Sequence, residues 1–280
     1  MHKHLWAILA SGLLLGPAVA ADEAVTVKLK KPAKGEAVTD TRSEEVDVTQ
    51  SVDGMAAPTL EVRTKQEYTD AVLEGDGKAK PTKVERTYKT LDQTAGEKVD
   101  HGLAGKTVLI EKAKGKEKFA FSVGGKPVGE SAAKLLDQEF NQEVDTEELM
   151  LPTKPVKVGD TWEVPAKAVD KMFGEEFVVD SKKVKATGKL VKVYDKNKAK
   201  YGVIEYTVEL PVASIGGQVD ATPGSQLKVS MSVDGCIDGT VYESSSAGKL
   251  DGEVKAKVMG KDVTVKISGT LKSKSEPAKK

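Results

Sequence analysis

The chain has 280 residues, of which 43 are Lys or Arg and 43 are Asp or Glu, so its formal net charge at pH 7 is zero. This balance provides no overall field that would attract nucleic acid or an anionic membrane, and we expect no nucleic-acid partner. Charged residues make up 31% of the chain and aromatic residues 5%. These proportions favour a thin, well-solvated structure over a globular enzyme with a deep core.

Residues 1–20 have the pattern of a secretory signal peptide. A basic start at residues 2–4 precedes an uncharged apolar run at 5–15, and Ala18-Val19-Ala20 supplies the small residues that a signal peptidase requires. The apolar run is too short to span a bilayer. We therefore predict cleavage after Ala20, a periplasmic or secreted location, and no integral membrane segment after cleavage. An uncut N-terminal anchor is the alternative.

Cleavage would remove most of the histidines and one of the two tryptophans. The mature chain would keep His101, Trp162 and Cys236 beside its many carboxylates and lysines. Cys236 has no partner for an internal disulfide, so we expect a small, mostly buried residue at the end of a strand. Pairing between two chains is the alternative for this thiol.

Alternation of apolar and polar residues is the commonest pattern from residue 21 onward, and it predicts strands with one buried face. It is clear at residues 25–29, 119–123 and 204–210. Residues 254–258 and 263–267 flank the turn Met259-Gly260-Lys261-Asp262, which predicts a hairpin. Further tight turns are expected at the Asp-Gly pairs 53–54, 76–77, 234–235, 238–239 and 251–252.

Helical periodicity occurs in two places. It predicts a helix over 131–144, with Ser131 as its N-cap, and a shorter helix over 165–173. The fold is therefore expected to be mainly β: a long antiparallel meander that forms a curved sheet or half-open barrel, with the helices on its apolar side. We expect this β-rich domain to cover residues 21–271, or to divide into two sub-domains near 131–175. Residues 272–280 are expected to be a flexible basic tail.

Residues 151–162 are the most distinctive segment, because they combine two prolines, a Gly-Asp turn and Trp162. The prolines favour an extended entry, Gly159-Asp160 reverses the chain, and Trp162 is expected to contact the core. The part from Pro155 to Trp162 resembles a motif, P-V-x-V-G-D-x-W, of uncharacterised exported bacterial β-rich proteins. This resemblance covers at most residues 119–210 and implies an extracytoplasmic β scaffold. More loosely, the expected architecture is similar to that of lipoprotein carriers, whose half-open barrel has an apolar concavity.

Two sequence patterns are also found in enzymes with a nucleophilic residue, but here we interpret both as structural features. Ser131-Ala132-Ala133-Lys134 matches the S-x-x-K motif of penicillin-recognising enzymes, but no Ser-Asp-Asn or Lys-Thr-Gly motif accompanies it. We therefore interpret Ser131 as a helix cap. His101, in Asp100-His101-Gly102, is expected to lie in a turn, and no G-x-S-x-G motif accompanies it.

Metal sites and paired carboxylates receive little support. One histidine and one cysteine 135 positions apart provide no zinc spacing. Residues 195–200 begin like a calcium loop, but Ala199 and Lys200 replace a ligand and the required glycine, so a polar hairpin turn is expected. The adjacent pairs Glu147-Glu148 and Glu175-Glu176 are interpreted as surface charge, because neighbouring residues on a strand face opposite ways.

The leading functional hypothesis is a non-enzymatic cell-envelope protein without catalytic residues, metal or cofactor. It would act as a scaffold or as a binder of an apolar ligand, lipid or envelope component. One alternative is a carboxylate-dependent hydrolase of an envelope polymer, and another is an adhesion or assembly module. If a groove exists, Trp162, Phe140 and Met172 are the candidates for its wall, with core packing as their other role.

Overall fold

The computed structural model describes residues 23–112, 115–141, 146–169 and 177–279. The predicted signal peptide and its cleavage site, Val144, Met172 and the pair Glu175-Glu176 lie outside the described residues.

The described residues form a mainly β protein, with 60% of residues in strands and 8% in helices. The helical elements are α1 (Glu130–Phe140), α2 (Thr146–Met150) and a 3-10 turn (Ala166–Ala168). In chain order the strands are β1 (Ala37–Val52), β2 (Met55–Ala56), β3 (Leu60–Glu74), β4 (Lys83–Ala95), β5 (Glu97–Val99), β6 (Thr107–Glu111), β7 (Ala120–Val123), β8 (Lys126–Pro127), β9 (Thr161–Glu163), β10 (Phe177–Val179), β11 (Lys185–Lys196), β12 (Ala199–Ile215), β13 (Val219–Asp220), β14 (Gln226–Cys236), β15 (Ser244–Val258) and β16 (Lys261–Pro277).

These strands make one open, curved, antiparallel sheet that does not close into a barrel, which confirms the predicted fold class. The main path across the sheet is β8-β7-β6-β4-β3-β1-β16-β15-β14-β12-β11-β9. The early and late strands meet at β1 and β16, where residues 38–52 pair with residues 263–277. Pairing between the two ends of the chain therefore makes the sheet continuous.

The predicted C-terminal hairpin is confirmed. Strands β15 and β16 pair up to Val258 and Lys261. Met259 and Gly260 between them have φ values of 51° and 81°. Two successive positive φ values give the tight reversal that suits a two-residue hairpin.

Two of the predicted Asp-Gly turns are wrong. Asp234-Gly235 lies inside β14 and Asp251-Gly252 inside β15. At Gly252 an added Cβ would lie 2.4 Å from a methyl carbon of Leu227 on the neighbouring strand. This glycine is therefore explained by close packing between strands, whereas Asp53-Gly54 does form a turn, with φ values of 49° and 81°.

Both ends of the predicted domain differ from expectation. Val25 and Val27 are buried, but their segment forms single bridges, such as Val25 with Val156, and no strand. Residues 272–277, expected to belong to a flexible tail, are instead the end of β16 and pair with β1. The pairing supplies hydrogen-bond partners that a sequence pattern poor in apolar residues does not reveal.

The covering elements define an inner face of the sheet. Helix α1 packs Ala132, Leu136 and Phe140 against buried residues of β4 and β6. Toward the other end of the strand order, a second buried cluster contains residues of β11, β12 and β14. Its covering residues are Val25, Val27, Val156, Val164, Ala168 and Val169. Of the predicted helix over 165–173, the described part is only the 3-10 turn that follows Pro165.

Candidate ligand-binding face

The four central strands β1, β16, β15 and β14 are two-faced. Successive side chains of a strand point to opposite faces, so the register assigns each residue to one side. On β16 the outer face is polar, with Thr264, Lys266, Ser268, Thr270, Lys272 and Lys274. The inner face of the same strand carries Val263, Val265, Ile267, Gly269 and Leu271.

An apolar row crosses the inner face from strand to strand. The register aligns Val62 on β3 with Val46 on β1, Gly269 on β16, Leu250 on β15 and Val229 on β14. The neighbouring row contains Leu271, Gly248 and Met231. We call the partly exposed apolar side chains of these two rows the apolar band; its members are Val46, Val62, Val229, Met231, Leu250 and Leu271.

The apolar band lies between the two buried clusters. On one side Leu136 and Phe140 of α1 cover β4 and β6. On the other side the second buried cluster extends to Val254 of β15 and Ile267 of β16, and four band residues pack against it: Val46, Val229, Met231 and Leu250. The side chains of the band are neither fully buried nor fully exposed. The middle of the sheet therefore presents apolar surface that the flanking clusters only partly cover.

Polar side chains border the band. The next row along the strands aligns Arg42 on β1 with Ser273 on β16 and Ser246 on β15. The hydroxyls of Ser246 and Ser273 lie 2.7 Å apart. Arg42 Nη2 lies 3.2 Å from Glu44 Oε2. An elongated molecule with one polar end could place its apolar part on the band and its polar end on this row.

The structure does not bring the predicted groove residues Trp162 and Phe140 together. Trp162 on β9 donates a hydrogen bond to the carbonyl oxygen of Met150 (2.8 Å) and meets Tyr206 edge-on at 6.2 Å between ring centroids. Its indole lies over Gly188, where an added Cβ would be 2.4 Å away. Phe140 is 8% exposed and belongs to the α1 cluster.

Sequence reasoning missed the apolar band. Its residues do alternate along their strands, and alternation was the available signal. However, Gly248 and Gly269 interrupt the apolar positions, and the rows appear only once the register of five strands is known. No local pattern fixes that register.

An ion cluster around the buried Arg86 ties α1 to the inner face. Arg86, 2% exposed, donates two hydrogen bonds to Asp70 (2.7 and 2.8 Å) and two to Glu139 of α1 (both 2.7 Å). Its guanidinium lies 3.6 Å from the ring centroid of Tyr68. Burial alone would raise the pKa of Glu139, but the charge and hydrogen bonds of Arg86 outweigh it and lower that pKa. For Asp70, burial prevails and raises the pKa.

Other candidates from the sequence have structural partners. Residues 197 and 198 form the polar turn expected between β11 and β12. Glu148 pairs with Lys31 at 3.2 Å. Cys236 is buried at the end of β14, as predicted. Within the described ranges, no group of three or more His, Cys, Asp or Glu residues is arranged to hold a metal ion.

Ser131 is not the N-cap of α1, which corrects the sequence interpretation. The N-cap is Gly129, and no side chain bonds there. The Ser131 hydroxyl instead lies 2.9 Å from His101 Nδ1. On the other side of the imidazole ring, His101 Nε2 is 2.6 Å from Gln93 Oε1. The predicted turn at His101 is present, since Gly102 has a φ of 65° and its amide donates to Asp100 (2.7 Å).

Comparisons with known proteins do not assign a family. The chain matches no protein-family model and no curated protein. A solved structure described as lipid–protein interactions in lipovitellin is 10% identical, with a TM-score of 0.43. The match covers 88% of this chain and 25% of that chain, so this chain spans about a quarter of the lipovitellin chain. This similarity is too weak to support a functional argument.

No helix within the described ranges has the length and apolar composition needed to cross a membrane. The resemblance of residues 155–162 to exported β-rich proteins stays a prediction.

Proposed function

We propose that the protein binds an acyl-chain lipid, or a similar elongated apolar molecule, on the inner face of its sheet. The observation that carries the proposal is the apolar band, in which side chains from five strands line up and remain partly exposed between two buried clusters. Burying this surface under a ligand would be favourable by about 25 cal/mol for each Å² of apolar area removed from water.

The sidedness of the sheet supports binding at this face. The outer positions next to the band, such as Lys249 and Thr270, are exposed and polar. One row further along the strands, the inner face is polar and carries Arg42, Ser246 and Ser273. An apolar chain with a polar end fits this order better than a uniformly apolar molecule does, because both parts of the ligand find matching surface.

The first test uses Leu250→Glu, which places a carboxylate in the middle of the band. We expect binding of a fluorescent fatty acid to weaken by at least about tenfold, because one lost apolar contact of that size is worth about 1.5 kcal/mol or more. Ala247→Glu is the matched control, since it adds the same group to the outer face of the same strand. Fluorescence titration and native mass spectrometry measure the two variants.

The control variant should bind like the original protein. The proposal is wrong if the unsubstituted protein binds no fatty acid and carries no lipid-sized species after gentle purification. Equal weakening by the two substitutions would also contradict it, because the effect would then not depend on the inner face.

A further inference from the structure

We propose that Ser131 and His101 form a nucleophile and general-base pair that cleaves carboxylic esters, with Gln93 as the residue that positions the histidine. The expectation that the substrates are esters with long acyl chains rests on the proposed function. The reactivity of Ser131 toward esters in general does not depend on the proposed function.

The hydrogen bonds give the histidine the tautomer that a base requires. The side-chain oxygen of Gln93 can only accept a hydrogen bond, so His101 Nε2, 2.6 Å away, carries the ring proton. Nδ1 is then unprotonated and accepts from the Ser131 hydroxyl at 2.9 Å. The same nitrogen lies 3.3 Å from the Ser131 carbonyl oxygen, and because both atoms only accept in this tautomer, this longer contact is not a hydrogen bond.

Ser131 also has the local setting of a nucleophile. It is the second residue of α1 and is exposed, so a substrate can reach its hydroxyl. The backbone N–H groups of the first turn have no acceptor within the helix, and the positive end of the helix dipole lies there. Both features would stabilise the negative oxygen of a tetrahedral intermediate.

The pair lies on the same face of the sheet as the apolar band. Gln93 is aligned across the sheet with Thr64, Thr64 with Glu44, and Glu44 with Leu271 of the band. Three strand spacings of about 4.8 Å separate Gln93 from Leu271, which is about 14 Å. The two positions between Gln93 and Leu271, Glu44 and Thr64, are polar, so the ester group rather than the acyl chain would lie over them, with the acyl chain on the band.

In the reaction, the Ser131 oxygen attacks the ester carbonyl carbon while His101 Nδ1 takes the hydroxyl proton. The tetrahedral intermediate collapses, the alkoxide leaves with the proton from His101, and the acyl group stays on Ser131. Water, deprotonated by the same nitrogen, then attacks the acyl carbon. The bond to the Ser131 oxygen breaks, this oxygen takes the proton back from His101, and the carboxylic acid leaves.

The test treats the full chain with an alkyl fluorophosphonate and locates the label by peptide mass spectrometry. We expect selective labelling of Ser131 and loss of the label in Ser131→Ala. His101→Gln should slow labelling and hydrolysis of p-nitrophenyl acetate by at least about 100-fold, with an unchanged circular dichroism spectrum. Ser245→Ala, at an exposed serine of the outer face, is the matched control and should react like the original protein.

The positioning role of Gln93 has a separate readout. Gln93→Leu would remove the oxygen that accepts the hydrogen bond from His101 Nε2, and it should slow the labelling of Ser131 by at least about tenfold. Gln93→Glu keeps an acceptor oxygen at this position and should restore most of the labelling rate. Equal slowing in the two variants would contradict the positioning role.

The proposal is overturned if Ser131 is labelled no faster than other exposed serines, or if His101→Gln reacts at the original rate. Leu250→Glu separates the two proposals, because it should lose fatty-acid binding and keep its reaction with the short ester. Ser131→Ala should show the opposite behaviour. If the unsubstituted protein shows only one of the two properties, only the proposal of the missing property is refuted.

Discussion

Asp40 lies on the inner face, opposite Ser275 on β16 and Tyr68 on β3. The Ser275 hydroxyl donates a hydrogen bond to its carboxylate. Burial raises the pKa of Asp40 to about 6 from an ordinary value of 3.8, against the lowering effect of that hydrogen bond, and the nearby Asp70 adds to the increase. The folded protein therefore holds a proton on Asp40 over a pH range in which the unfolded chain has lost it.

This shift predicts a fall in stability as the pH rises from about 4 to about 6. Because the folded pKa is the higher one, the stabilisation by neutral Asp40 is present below pH 3.8 and is lost as the pH rises through about 6. At 1.36 kcal/mol per unit, the loss is at most about 3 kcal/mol. Asp40→Asn, which cannot ionise, should remove this part of the pH dependence and stabilise the protein at pH 7.

Urea unfolding at a series of pH values measures the effect. Asp251→Asn, an exposed position on β15, is the control and should retain the original slope. An unchanged slope in Asp40→Asn would show that another group causes the pH dependence.

At the scale of elements, apolar contacts and the buried cation of Arg86 help to attach α1 to the sheet. Arg86 forms ion pairs with two carboxylates, that of Asp70 on β3 and that of Glu139 on α1. Removing one member of a buried ion cluster leaves the other charges without compensation, which costs more than the cluster contributes as a whole.

We therefore expect Arg86→Met to destabilise the protein by about 3–5 kcal/mol. Hydrogen exchange should become faster in residues 130–140, because α1 loses the ion pair between Glu139 and Arg86. Arg42→Met is the matched control: the side chain of Arg42 is 48% exposed and pairs with Glu44, so its loss should cost less than about 1 kcal/mol. A similar decrease in the free energy of unfolding for both variants would mean that the ion cluster of Arg86 stabilises the protein no more than a surface ion pair does.

At the scale of the whole molecule, the two buried clusters share one sheet. The pairing of residues 38–52 with 263–277 connects the strands under α1 to the strands under the second cluster. Strand β1 is hydrogen-bonded on both sides, to β3 and to β16, so neither half can lose it without exposing backbone groups.

This arrangement predicts a single cooperative unfolding transition. Peptides from β4, under the first cluster, and from β12, under the second, should lose protection against hydrogen exchange at the same urea concentration. Trp162 fluorescence should change at that concentration too. Two separate midpoints would favour the division into two sub-domains near residues 131–175.

Much of the fold could be predicted from local patterns. Alternation identified the strands at 119–123 and 204–210, and the turn at Met259-Gly260 was recognised because two positive φ values require particular residues. Prediction failed at Asp234-Gly235 and Asp251-Gly252 because a glycine that permits a turn also permits close contact between strands. It failed at residues 272–277 because their pairing partner lies at the other end of the chain.

The candidate site was harder to predict than the fold. The S-x-x-K motif at Ser131 is ambiguous, because a serine before an amphipathic run is equally the local pattern of a helix cap. His101 is 30 positions away from Ser131, and only the packing of α1 on the sheet brings their side chains to 2.9 Å. The candidates Trp162 and Phe140 were recognised as apolar, yet they belong to different clusters.

The sequence by itself determined the secondary-structure class, the one-faced character of the strands and most of the turns, since each depends on residues close together in the chain. The tertiary structure alone decided the pairing of β1 with β16, the alignment of the apolar band and the contact of Ser131 with His101. These features depend on register and on contacts between distant segments, which many sequences with the same alternation could arrange differently.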